Sequence, residues 1–330
     1  MATRDTVLVL THRDDFYTVD RVAQELVQRG ARPIRVDGDR FPTEVRLSSR
    51  EGVGGASRVL ETADARATSD EIRAVWVRHL FPARYDGRAI DERFREGAMR
   101  ESAAALEGFL GGMPDVRWID RLDAGRSAAE KLRQLRIASE VGLTVPRTLV
   151  TNDPDALRTF AEEIGGDLVA KLLTRLSTGM EKQSFSVPTS LVSEADLVDA
   201  GSLSLCPMVF QELVPKAVEL RIAYVGGRLF TGAIDASGSS TGRIDWREAD
   251  PSEASWQEGD VPDEVANSLR ALMQRLGLVY GAIDVIRTPE GEHVFLEVNP
   301  NGEWGMLEFV LGLPVAAALA DELLREPGEA

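Results

Sequence analysis

Tyr280-Gly281-Ala282-Ile283-Asp284-Val285 and His293-Val294-Phe295-Leu296-Glu297-Val298-Asn299-Pro300-Asn301-Gly302 are the stretches that decide how this chain is read. Each is a short apolar strand carrying oxygen ligands, and Thr288-Pro289-Glu290-Gly291-Glu292 is the turn between them. Side chains alternate faces along a strand, so Glu297 and Asn299 are expected on one side of the hairpin. If the partner strand aligns, Asp284 joins them. Two carboxylates and an amide oxygen, without His or Cys, suit a hard cation such as Mg²⁺, which shares its coordination with water and phosphate oxygens. The competing reading is a surface hairpin whose acids are merely solvated.

At 330 residues the chain has room for two or three modest domains around one cleft, and its 43% hydrophobic content is that of a globular protein. A formal net charge of −16 argues against nucleic acid or anionic membrane as a general partner, since both need a positive field. A phosphate ligand must therefore meet locally placed Lys and Arg. The single cysteine, Cys206, excludes an intramolecular disulfide or a thiolate zinc cluster; its apolar surroundings, Leu205 to Phe210, predict a packed side chain. The amino-terminal apolar run is too short for a signal peptide and no run nears membrane-spanning length, so the sequence reads as soluble and cytoplasmic.

Thr6-Val7-Leu8-Val9-Leu10, a helical pattern through Val19, Val22, Ala23, Leu26 and Val27, and Pro33-Ile34-Arg35-Val36-Asp37 form a βαβ unit, hence a parallel sheet and an α/β fold. Its first βα turn, Thr11 to Asp15, has no glycine, so a dinucleotide fingerprint is absent. Strands at Ala74–Val77 and Val116–Ile119 flank a helix from Glu92 to Phe109. A new region opens near Asp120. It holds a helix containing Ala128, Lys131, Leu132, Leu135 and Ala138, a helix from Asp155 to Ile164, and a strand, Asp167 to Lys171, that delivers a lysine. The last region runs from about Ser204, contains the hairpin and closes in a helix from Pro314 to Leu324. Boundaries are expected after 119 and 204, giving segments 1–119, 120–204 and 205–330.

In this order the blocks resemble the ATP-grasp carboxylate–amine and carboxylate–alcohol ligases over essentially the whole chain. They are Lys131 ahead of Gly142-Leu143-Thr144-Val145-Pro146-Arg147-Thr148, Lys171 before a loop, Phe210-Gln211-Glu212-Leu213-Val214, Glu219-Leu220-Arg221-Ile222, and Asp284 with Glu297 and Asn299. A nearer resemblance is to the graspetide (microviridin-type) synthetases, carried by Gly142 to Asn152, Ile244-Asp245-Trp246-Arg247, and Asn299-Pro300-Asn301-Gly302-Glu303-Trp304. Segment 1–119, with Val75-Trp76-Val77-Arg78, is similar to their pre-ATP-grasp domain. The resemblance implies an ATP-grasp fold: that βαβ domain followed by a central and a C-terminal α+β domain. One departure is that the loop after Lys171, Leu172 to Gly179, has a single glycine.

The resemblance implies ATP and Mg²⁺ as cofactors. It assigns Lys131 and Lys171 to the phosphates, with Lys171 also near the base, and Gln211, Glu212, Leu213 and Val214 to adenine. Glu219 then meets a ribose hydroxyl, while Asp284, Glu297 and Asn299 hold the metal. Arg221 presents a fork of donors that suits a γ-phosphate or acyl phosphate; an ion pair with Glu219 is its competing role, as a solvated helix position is for Lys131. Arg247 is expected at the reacting carboxylate and Asp245 beside the nucleophile, a salt-bridged turn being the alternative.

The implied activity is ATP-dependent macrocyclisation of a ribosomally made precursor peptide. Asp or Glu side chains are activated as acyl phosphates and attacked by Thr or Ser hydroxyls to give ω-esters. The alternatives are ω-amide formation with Lys, a RimK-like ligase adding free amino acids to a protein or small acid, and a degenerate fold that binds nucleotide without turnover. A leader peptide and a homodimer are the partners the resemblance implies. Apolar residues around Leu191, Val192 and Leu197 to Val209 are leader-binding candidates.

Overall fold

The protein is described by a computed structural model over residues 4–326, excluding 54, 81–82, 86–89, 114, 174–188 and 236–254. Three of its sheets position the site. The first takes β1 (Thr6–Thr11), β2 (Arg32–Asp37), β6 (Ile72–Val77) and β7 (Arg117–Ile119) in the order β2-β1-β6-β7, every pair parallel. Such a sheet needs cover on both faces, because its strands are apolar on both. Helix α1 (Tyr17–Gln28) and the closing helix α9 (Val315–Leu324) pack one face through Val22, Leu26, Val315 and Leu319. Helix α2 (Glu92–Gly111) covers the other with Leu106, Phe109 and Leu110.

The sequence pattern did not point to strands between β2 and β6. The structure has a small antiparallel meander there, β3 (Arg46–Arg50), β4 (Ser57–Glu61) and β5 (Arg66–Thr68). Its strands are short and mostly polar, so the apolar alternation that announces a strand is weak.

The helix expected through Ala128 and Ala138 is two helices, α3 (Leu122–Ala128) and α4 (Lys131–Glu140). Glu130 is extended, with φ −69° and ψ 103°, and Lys131 becomes the first residue of α4 rather than an interior one. No Pro or Gly marks the break. Buried Gln134 replaces the missing backbone partner, donating to the Ala128 carbonyl at 2.6 Å.

The second sheet is antiparallel and orders β10 (Ser190–Leu191), β9 (Leu168–Lys171), β11 (Met208–Glu212) and β8 (Thr148–Thr151) as β10-β9-β11-β8. Helix α5 (Pro154–Ile164) backs it. This helix starts with Pro154 in its first turn behind an Asp153 cap and stops at Gly165, whose φ of +63° a side chain would resist. Helix α6 (Glu194–Val198) and a 3₁₀ segment, Ala200–Leu205, follow β10. Cys206 ends that segment and is exposed, against the expectation of packing, because the sheet begins only beyond Pro207.

The third sheet orders β14 (Ser255–Glu258), β13 (Arg228–Asp235), β12 (Val218–Val225), β15 (Tyr280–Arg287) and β16 (His293–Asn299) as β14-β13-β12-β15-β16, all antiparallel. One face packs on α4 and on α7 (Asp263–Leu276) through Ile222, Ile283, Leu272 and Phe295. Helix α8 (Gly305–Phe309) follows β16. Among the described residues, no helix is long and apolar enough to cross a membrane.

Candidate nucleotide and metal site

The hairpin β15–β16 forms where the sequence placed it, with one irregularity that makes the site. Val285 pairs with Phe295 but Asp284 pairs with Glu297, so Leu296 is an extra residue, a β-bulge. In a regular strand Phe295, Glu297 and Asn299 would share a face. The bulge reverses the alternation. Phe295 and Val298 enter the core beside Ile283 and Val285, while Glu297 and Asn299 turn to the opposite face with Asp284.

On that face Arg221 of β12 lies directly opposite Asp284. The guanidinium Nη1 donates to Asp284 Oδ1 at 2.7 Å, with the two side chains only 6% and 3% exposed. Nε and Nη2 of Arg221 donate to the Glu303 carbonyl at 3.1 and 2.8 Å, which holds the loop after β16 against the sheet. The Asn299 amide lies between the acids, 3.0 Å from Glu297 Oε1 and 3.4 Å from Asp284 Oδ2. Lys131 Nζ closes on Glu297 Oε2. The two carboxylates and the amide thus share one sheet face, as strand alternation led one to expect, and Arg221 and Lys131 meet them there. Asp284, Glu297 and the Asn299 amide oxygen, which a rotation of the amide would present, are a hard-cation donor set.

What positions Lys131 was not visible in the sequence. The buried Gln134 side chain accepts from Val298 N–H and donates to the Val298 carbonyl, both at 2.8 Å, so it docks α4 along β16 three residues from Lys131. The segment Gly142 to Pro146 runs beside the same strand, where Phe295 N–H donates to the Thr144 carbonyl at 2.9 Å. At the other end, the Asp120 carboxylate accepts from Val279 and Tyr280 N–H at 2.7 and 3.1 Å and so ties β7 to the start of β15. Burial pushes the Asp120 carboxyl up to about 7, against the lowering effect of those two bonds.

The loop Pro300–Trp304 is tightly bound. A Cβ on Gly302 would sit 2.4 Å from the Ala282 Cβ and 3.0 Å from Arg221 Nη2, so only glycine fits. Tyr280 donates its hydroxyl to the Gly302 carbonyl at 2.6 Å. Arg78, 2% exposed, pairs with the Glu303 carboxylate and donates to the Asn301 carbonyl. Sequence reasoning gave Arg78 and Glu303 no role, because their contact spans most of the chain.

The second sheet carries the other expected residues. Lys171 on β9 donates to Gln211 Oε1 at 2.8 Å, and Gln211 Nε2 donates to Thr148 Oγ1 at 2.9 Å, linking three neighbouring strands. Glu212 is the last residue of β11; its carboxylate is held by the backbone and side chain of Arg147 at 2.8 and 2.7 Å. Leu213 and Val214 begin the connection from the second sheet to the third. Glu219 is buried on β12 and accepts from Lys216 at 2.9 Å. Asp245, Arg247 and, of the loop after Lys171, Thr174 to Gly179 lie outside the described residues.

Residues 6–126 match the family described as the MvdD pre-ATP grasp domain. The whole architecture is similar to macrocyclase MdnB from Microcystis aeruginosa MRC, at 43% identity and a TM-score of 0.83, covering 97% of this chain and 99% of that one. The chain belongs to the ATP-grasp graspetide synthetases. Graspetide synthetases are ATP-dependent ligases, and two further solved structures extend the comparison. Macrocyclase MdnC of the same organism, solved bound with precursor peptide MdnA, is 33% identical with a TM-score of 0.86 over 97% of this chain and 99% of that one. A RiPP-associated ATP-grasp ligase from Chryseobacterium gregarium, solved with ADP and a leader and core peptide, is 29% identical with a TM-score of 0.87 over 97% and 96%. A probable alpha-L-glutamate ligase from Teredinibacter turnerae is 22% identical over 194 residues, a match spanning 62% of that protein's length.

Proposed function

We propose that this synthetase cyclises a ribosomally made precursor peptide by phosphorylating Asp or Glu side chains and joining them to Thr or Ser hydroxyls as ω-esters. The observation that carries the reading is the convergence of Asp284, Glu297, Asn299, Arg221 and Lys131 on one face of the third sheet. A carboxylate is a poor acylating agent, and phosphorylation converts its oxygen into a leaving group. The macrocyclase and peptide-ligase relatives support a peptide as the source of that carboxylate.

Asp284, Glu297 and Asn299 would hold Mg²⁺, which when bound neutralises charge on the phosphates of ATP. Lys131 is one-third exposed, free to trade Glu297 for a phosphate oxygen as nucleotide arrives. Arg221 is fixed by Asp284 and the Glu303 carbonyl, so its charge is prepositioned for the transferred phosphoryl group. Lys171, oriented by Gln211, takes the remaining phosphate contact near the base. The Glu212–Val214 connection contributes adenine contacts through its backbone, since Arg147 already occupies the Glu212 carboxylate. Glu219 meets the ribose. Arg247 receives the reacting carboxylate and Asp245 orients the attacking hydroxyl. The three-part division at 119/120 and 204/205, a homodimer and a cytoplasmic location complete the reading.

The test is to incubate the enzyme with ATP, Mg²⁺ and a short neighbouring gene product rich in Thr and in Asp or Glu, and to weigh the peptide. Each ring removes one water, and methanolysis opens esters but leaves amides. Addition of free amino acids, a gain of mass instead, would favour the RimK-like reading.

A further inference from the structure

The parallel sheet ends, at its carboxyl edge, in a second cluster of ligating side chains that the nucleotide site does not use. His12 directly follows β1, Asp15 lies in the turn before α1, and His79 stands two residues beyond β6. β1 and β6 are neighbours, and the N–H groups of Arg78 and His79 both donate to the Leu10 carbonyl, at 2.9 and 3.1 Å. That pairing brings the two imidazoles together with ring centroids 5.5 Å apart and planes tilted by 48°. A ring nitrogen of each histidine and a carboxylate oxygen of Asp15 all lie within 4.8 Å of one another. The carboxyl edge of a parallel sheet is where open α/β folds place ligands.

We propose that His12, Asp15 and His79 form a binding site for a borderline divalent transition metal, Zn²⁺ foremost, distinct from the magnesium site. Two imidazoles and one carboxylate are a transition-metal donor set, whereas Mg²⁺ prefers oxygen alone. All three residues are half-buried, which leaves access for water at a fourth position. Arg13 is paired with Asp39 at 2.7 Å, Arg35 with Asp37 at 2.8 Å, and Arg78 chiefly with Glu303, its Nε lying 3.8 Å from Asp15, so a bound cation competes for the Asp15 carboxylate with that one long ion pair. Thr11 Oγ1 donates to Asp15 Oδ2 at 2.7 Å and orients the carboxylate from behind, as outer partners of metal ligands do. Thr18 Oγ1 makes a longer contact, 3.5 Å, to Oδ1. The Asp14 N–H lies 3.3 Å from His12 Nδ1, a bond long enough for a metal to displace. Tetrahedral ligands about 2.1 Å from zinc stand about 3.4 Å apart, so binding draws the three side chains together by rotation about their side-chain bonds.

The experiment titrates Co²⁺, as a visible reporter, into the tag-free full-length chain without nucleotide and then back-titrates with Zn²⁺. The expected result is one equivalent of Co²⁺ with d–d absorption, displaced by Zn²⁺ and not by Mg²⁺. His12→Gln, His79→Gln and Asp15→Asn should each weaken binding at least about tenfold, with circular dichroism and melting showing that each variant is folded. His293→Gln, which changes the remaining histidine, and Glu297→Gln should bind as the parent does. Failure of the parent to take up stoichiometric Co²⁺, or unaltered binding in both His12→Gln and His79→Gln, would overturn the proposal.

Discussion

The third sheet and the second sheet both set charged side chains on a strand face, and they anchor them differently. In the third, Arg221 and Asp284 are 6% and 3% exposed, paired at 2.7 Å, and flanked by a loop in which only glycine fits at 302. In the second, strands are two to five residues long, and the Arg147–Glu212 pair at its exit is 55% and 26% exposed. Lys171 donates there to the Gln211 amide oxygen at 2.8 Å. The contrast separates a deeply buried, cross-linked floor in the third sheet from a more exposed and more lightly anchored second sheet.

Breaking the floor should cost most. Arg221→Ala removes one partner of a buried pair and should destabilise the chain by about 3–5 kcal/mol in denaturant titration. A loss below about 1 kcal/mol would mean that Asp284 is not dependent on it. Gln134→Ala leaves the Val298 N–H and the Ala128 carbonyl buried without partners, so about 2–3 kcal/mol is expected, again by denaturant midpoint.

The tie between β7 and β15 gives a pH signature. The Asp120 carboxyl titrates near 7 in the fold and near 3.8 when exposed, so between those values the folded state binds the proton more tightly. Stability from this group is therefore present at low pH and declines as pH rises toward 7, by at most about 1.4 kcal/mol per pH decade. Melting curves of Asp120→Asn should show a shallower decline than the parent; parallel curves would contradict the raised carboxyl. Arg147→Ala, in the lighter sheet, should change stability by less than about 1 kcal/mol, because its pair is largely solvated.

Much of the fold was legible because its strands are apolar runs punctuated by turn residues, and both carboxylates of the floor could be read from the hairpin alone. The bulge at Leu296 could not, since a one-residue register shift leaves no mark in residue types. It happens to preserve the relation between Glu297 and Asn299, which the alternation predicted, while freeing Phe295 for the core. The break between α3 and α4 was equally silent, because Gln134 supplies from within α4 the bond that a cap would otherwise provide. Arg78 and Glu303 escaped because their pairing joins distant segments that only the packing of the first sheet against the third brings together. The exposure of Cys206 shows the reverse error, an apolar run whose first residues lie outside the sheet.

In the proposed function the Asp284–Glu297–Asn299 face binds Mg²⁺ and the phosphates of ATP. Its most direct test is ADP release with ATP, Mg²⁺ and precursor by Glu297→Gln, alongside calorimetric binding of Mg·ADP. The expected result is a parent-like melting curve, Mg·ADP affinity lowered at least about tenfold, and ADP release abolished. ADP release at the parent's rate from the folded variant would contradict it.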